Sequence, residues 1–151
     1  MSLHETIKAK VIEAMKAKDQ VRLLALRGLV SELTNEAVRK GQKPDTILDD
    51  EAVMPVIVRQ VKQHKDSIDQ YEKGGRNDLV QQEQEELAIL EEFMPEQMSE
   101  DEVRTIVKAT ITKLGIRDAS EIGKLMGSLM PQFKGKADGN VVKKIVEELL
   151  G

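Results

Sequence analysis

Residues 99–115 read SEDEVRTIVKATITKLG, and a complete helix is spelled out in them. Ser99 and Glu102 have capping-box spacing, which lets a hydroxyl and an acid satisfy the free amides of a first helical turn. Val103, Ile106, Val107, Ile111 and Leu114 then recur at three- and four-residue steps, marking one face of a 3.6-residue period. Gly115 closes the segment.

The same grammar extends in both directions. Upstream, Ser2 and Glu5 open a first helix with Leu3, Ile7, Val11 and Met15 on one face, and Asp19 caps a second whose stripe is Leu23, Leu26, Val30, Leu33 and Ala37. A polar loop with Pro44 follows Gly41. Asp49 or Asp50 then caps a third helix carrying Val53, Ile57, Val61, Ile68 and Tyr71, and Gly74 and Gly75 stop it. Pro55 falls early enough to be tolerated, with a local kink left open. A fourth helix runs from about Asn77 with Leu79, Val80, Leu87, Leu90 and Phe93, and Pro95 ends it.

Downstream, Asp118 with Glu121 repeats the cap, Ile122, Leu125, Met126, Leu129 and Phe133 form a stripe, and a last helix spans about Gly139 to Leu150. Strand-like alternation is missing and aromatic residues amount to 2%. The reading is all-α: an N-terminal helical hairpin domain over residues 1–96, then a small three-helix C-terminal domain over residues 97–151. The boundary rests on charge. Residues 77–102 hold ten carboxylates and no Lys or Arg, whereas residues 1–76 sum to +2 and residues 103–151 to +4.

Composition excludes several classes of protein. With 40% hydrophobic and 33% charged residues the chain reads as water-soluble, and no apolar run suffices for a membrane span. Cysteine is absent, which removes disulfides, thiolate metal sites and a cysteine nucleophile. The first 18 residues lack an apolar signal core and an Arg-rich, acid-poor transit character, so a cytoplasmic location is expected.

One stretch is not explained by core packing. Residues 123–139 read GKLMGSLMPQFKGKADG, and a helical glycine costs about 1 kcal/mol relative to Ala. At about 100 degrees per residue, Gly123, Gly127 and Lys134 fall beside the apolar stripe and outside it. Pro131 should kink or restart the helix. In the following turn Lys134 and Lys136 alternate with Gly135 and Ala137, and Asp138 caps the next helix, whose first turn has no further acid. Two readings stay open on spacing alone: close helix crossing at the glycines with solvated lysines, or an anion site. Lys143 and Lys144 read as paired with Glu147 and Glu148 four residues on, and Val141, Val142, Ile145, Val146, Leu149 and Leu150 as core.

Signs of catalysis are sparse. No phosphate loop and no glycine- and serine-rich amidase signature is present. His4 lies near a terminus expected to fray, and His64, within the third helix, could work with Asp69 or a neighbouring carboxylate but reads as a lone surface or packed histidine. Glu83, Glu85, Glu86, Glu91 and Glu92 could offer oxygen to Mg²⁺ but read as a solvated face. No catalytic residue, metal ligand or cofactor is assigned.

The block GKLMGSLMPQFKGKADGNVVKKIVEELL, supported upstream by QVKQHKDSIDQYEKGGRNDLV and LEEFMPEQMSEDEV, resembles the GatB/YqeY family, and over its full length the chain looks like a stand-alone YqeY-like member. That resemblance implies a C-terminal domain like the tail of the B subunit of the glutamine-dependent aminoacyl-tRNA amidotransferase, which helps hold tRNA. The positions matching the shared pattern are Gly123, Lys124, Gly127, Pro131, Lys134, Gly135, Lys136, Ala137, Asp138 and Gly139. The expected function is therefore a tRNA-binding accessory module, with Gly123, Lys124, Gly127, Lys134, Gly135, Lys136 and Gly139 as RNA-binding residues. The family also suggests carbon-nitrogen ligation with glutamine as amide donor, but nothing here resembles the catalytic cradle of that subunit. A third expectation is an adaptor for an aminoacyl-tRNA synthetase or amidotransferase subunit.

Overall fold

The computed structural model describes residues 1–151, which form seven α-helices, one short 3₁₀ turn and no strand. The chain divides into two compact units, Met1–Met94 and Pro95–Gly151.

The first unit contains α1 (Leu3–Lys16), α2 (Gln20–Arg39), α3 (Asp50–Lys73) and α4 (Asn77–Glu91). Helices α1 and α2 form the expected hairpin, and α3 and α4 form a second across the three residues Gly74–Arg76; α2 packs against all three others. Their shared core is Ile7, Leu26, Leu29, Leu33, Val53, Ile57 and Leu90, each almost wholly removed from water. Every fully buried Leu or Ile of this kind contributes roughly 1.5–3 kcal/mol. Met15, expected on the inner face of α1, is exposed, and Ala14 is buried in its place. Pro55 lies within α3, which continues unbroken to Lys73.

Caps form where the sequence put them. The Ser2 hydroxyl accepts from the Glu5 amide at 3.2 Å, Asp19 from Arg22 at 3.1 Å and Asp49 from Ala52 at 2.8 Å. The neighbouring Asp50 makes a tertiary bond instead. Its carboxylate accepts from the Leu3 amide at 2.8 Å, which anchors the start of α1 to α3. The N-terminus is accordingly not frayed at His4. That imidazole is buried, and its Nδ1 accepts from the Leu48 amide at 2.9 Å. The arrangement requires the tautomer with its proton on Nε2, and burial pushes the group's pKa down, reinforced by Lys8.

The second unit contains α5 (Glu100–Leu114), the 3₁₀ turn Ala119–Glu121, α6 (Ile122–Phe133) and α7 (Gly139–Leu150). Ser99 caps α5 through the Glu102 amide, and Gly115 ends it in the left-handed conformation at φ 66°. Asp118 and Glu121 divide the next cap between them. Asp118 accepts from the Ser120 amide, and Glu121 reaches past it to the Arg117 amide at 3.0 Å. Val103, Val107, Leu125, Leu129, Phe133, Val142, Ile145 and Val146 make the core, with Val141, Leu149 and Leu150 packed at its edge.

Candidate nucleic-acid interface

Helix α6 buries Leu125, Leu129 and Phe133, and this fixes what its other side presents. Gly123, Lys124 and Gly127 are exposed or half-exposed there. A Cβ built on Gly123 or Gly127 would meet no atom within 4 Å, so close helix crossing accounts for neither glycine. Gly139 is different, since its added Cβ would make ordinary contact with the Met130 methyl at 3.5 Å. Met126 packs against the core, whereas Met130 lies at the surface.

The helix runs two residues beyond Pro131 to Phe133 and does not restart after it. A proline in a last turn removes a single intrahelical bond, here the one the Gly127 carbonyl would have accepted, and little helix follows to be disturbed. Lys134 then leaves the helical register at φ −53°, ψ 116°, and Gly135 has φ 75°. These are type II turn values, and the Lys136 amide closes the turn on the Phe133 carbonyl at 2.8 Å. Glycine at 135 is thus required by the positive φ.

Gly135 is itself buried, and its carbonyl accepts from the Gln97 side chain at 2.9 Å. The Lys136 carbonyl accepts from the Met98 amide at 2.9 Å. Residues 97 and 98 therefore strap the turn from beneath while the side chains of Lys134 and Lys136 stay exposed. Of the expected RNA-binding residues, Gly123, Lys124, Gly127, Lys134 and Lys136 are at the surface. Gly135 shapes the turn, and Gly139 is half-buried as the first residue of α7.

Electrostatics differ from the sequence expectation in two ways. The compact unit Pro95–Gly151 includes Glu96, Glu100, Asp101 and Glu102, and its nine Lys and Arg equal its nine Asp and Glu. Its net charge is zero, so attraction for an anion depends on local placement. Lys143 and Lys144 also lack the expected partners: neither has a carboxylate within 4.0 Å, and Glu148 pairs with Arg104 of α5 at 3.0 Å. Lys124, Lys134 and Lys136 are likewise without ion-pair partners, so the α6–turn–α7 segment carries five uncompensated lysines. Against these stand Glu147, also unpaired, and Asp138, whose carboxylate accepts from the Asn140 amide at 2.8 Å and occupies the start of α7. That helix terminus holds its own anion.

The histidine reading also changes. His64 is not alone: its Nδ1 contacts Glu83 and lies 3.7 Å from a Glu86 oxygen. Antiparallel pairing across a short turn signals this neighbourhood in the sequence, because His64 and the pair Glu83 and Glu86 lie at similar distances from Gly74 and Gly75.

The geometry defines an all-α protein of two helical units, the second with an exposed glycine face leading into a lysine-bearing type II turn. The chain belongs to the Yqey-like protein family, which matches residues 4–150. It is 32% identical over 150 residues to altered inheritance of mitochondria protein 41, mitochondrial, of Pyrenophora tritici-repentis, covering 96% of this chain and 79% of that one. The protein of the same name from Lachancea thermotolerans is 32% identical over 110 residues, or 72% of this chain and 57% of its own. That from Saccharomyces cerevisiae is 28% identical over 130 residues, or 82% and 68%. No helix is long and apolar enough to cross a membrane.

Proposed function

We propose that the chain is a tRNA-binding accessory module that holds its RNA through α6, the Lys134–Lys136 turn and the exposed lysines of α7. The observation carrying this reading is the open space over Gly123 and Gly127 on the outer side of the helix. Two helix-weakening residues that pack against nothing are explained by a ligand that comes close to the main chain. The adjacent lysines suit that ligand to phosphate, and a sugar-phosphate backbone needs no aromatic stacking platform. The likeness of the segment to the amidotransferase B-subunit tail supports tRNA as the class of RNA. The reading assigns no bond-making step to the chain; amide transfer from glutamine would belong to partner subunits.

The test is a titration of tRNA binding against salt. Each phosphate no longer neutralised lowers the slope of log K against log salt by roughly 0.7–0.9, so Lys134→Ala with Lys136→Ala should flatten it by about 1.4–1.8. Absence of saturable binding at low salt removes the proposal.

A second reading, docking to a synthetase or amidotransferase subunit, is supported by Ile12, Met15, Val21 and Leu24, which flank the α1–α2 turn at 42–58% exposure. Recovery of a partner after nuclease treatment would favour it, and disappearance of the partner with the RNA would not.

A further inference from the structure

The α3–α4 hairpin brings together three side chains that the RNA reading does not use. Glu83 and Glu86 are three residues apart on α4 and share a face, and His64 projects from α3 opposite them. His64 Nδ1 and one oxygen from each carboxylate lie within 4.8 Å of one another. All three side chains are largely withdrawn from water, at 19%, 21% and 14% exposure for His64, Glu83 and Glu86. No Lys or Arg lies within 4.0 Å of either glutamate, and the His64 imidazole is the only basic side chain in contact with them. Two half-buried carboxylates with no lysine or arginine beside them present negative charge that a bound cation would compensate.

We infer that His64, Glu83 and Glu86 form a binding site for a divalent metal ion of the zinc class. Zinc takes nitrogen at about 2.0–2.1 Å and carboxylate oxygen at about 2.0–2.2 Å, so tetrahedral ligand atoms stand about 3.3 Å apart. The present separations from Nδ1, direct contact with Glu83 and 3.7 Å to Glu86, lie on either side of that value. Side-chain adjustments of about an ångström would seat the ion. One imidazole with two carboxylates also offsets the metal's two positive charges, and the nitrogen donor selects zinc-class ions over Mg²⁺, which prefers oxygen and bound water.

Three protein ligands leave a coordination position open. His64 and Glu86 line a cleft of about 370 Å³ between α2, α3 and α4, where Glu32 and Gln60 add oxygen donors and Leu24 and Leu90 supply apolar wall. The open position is therefore available to water or to a small oxygen-donor ligand seated in the cleft.

Calorimetric titration of the full chain with Zn²⁺ is expected to give one site per chain, retained in excess Mg²⁺. Co²⁺ in its place should produce the visible absorption of a four- or five-coordinate ion. His64→Ala and Glu86→Gln should each weaken Zn²⁺ binding by about 100-fold or more, at or beyond the upper end of the effect seen when a supporting residue of a metal site is removed. Glu85→Gln, on the exposed face of the same helix, should leave binding unchanged. Glu86→Gln preserves shape, so it reports on the site even if His64→Ala disturbs the hairpin. No saturable Zn²⁺ binding, displacement of Zn²⁺ by Mg²⁺, or affinity equal to the parent in Glu86→Gln would each overturn the assignment.

Discussion

Replacing Gly127 by Gln separates the two explanations for the α6 glycines, because they predict opposite effects on stability. Gly127 is interior to α6, and a Cβ there would meet nothing within 4 Å. Its φ is not positive, so an L-residue fits without strain. Gln is among the stronger helix formers, and removing a mid-helix glycine is worth roughly 0.5–1 kcal/mol. If the second unit melts by itself, each kcal/mol corresponds to about 4–8 °C in Tm, and if the whole chain melts together to about 2–4 °C. The expected rise is thus about 2–8 °C in the first case and about 1–4 °C in the second, measured by circular dichroism. The same side chain would stand where RNA approaches, so tRNA affinity should fall while Tm rises. A lower Tm would mean that a neighbour occupies the space after all. A higher Tm with parental tRNA affinity would refute ligand access as the reason for glycine at this position.

Other consequences are equally open to measurement. Gly135→Ala forces a side chain into the positive-φ position of the type II turn and should cost about 1–2 kcal/mol in urea unfolding; an unchanged midpoint would mean that the turn relaxes. Replacing Glu100, Asp101 and Glu102 by Gln removes negative charge from the helix that begins just after the Gln97–Met98 strap, and should tighten tRNA binding most at low salt. Unchanged binding would place the RNA beyond their reach. The His4 imidazole has a folded pKa below its ordinary value of 6.5, so its contribution to stability is fully present above that pH. As pH falls through 6.5 the unfolded chain takes up the proton first and stability declines, levelling off once the folded imidazole is also protonated. His4→Asn, which keeps an acceptor for the Leu48 amide, should remove this part of the pH dependence in urea titrations; an unchanged profile would exclude His4 as its source.

Helices were legible because their signals are local. The Ser99 cap, the stripe from Val103 to Leu114 and the left-handed Gly115 all lie within one short segment. What depended on tertiary placement was not legible. Asp49 and Asp50 are adjacent and chemically identical, yet one caps α3 and the other binds the Leu3 amide 47 residues away. Glu148 was expected to pair along its own helix with Lys144 but finds Arg104 on α5. Of the candidate interface, the exposure of Lys134 and Lys136 could be anticipated from the polar turn, whereas the burial of Gly135 could not. Its carbonyl is claimed by Gln97, a residue 38 positions earlier. The glycine face was ambiguous for the same reason: spacing specifies a helix surface but not whether another element covers it.

Ultraviolet crosslinking of the full chain to RNA in cells, followed by sequencing of the recovered RNA and mapping of the crosslinked peptide, tests whether the second unit holds tRNA. Recovered sequences should be dominated by tRNA, with crosslinks confined to the segment from Gly123 to Lys144. RNA recovered no more often than from an uncrosslinked control, or crosslinks lying wholly outside that segment, would exclude tRNA holding by these residues.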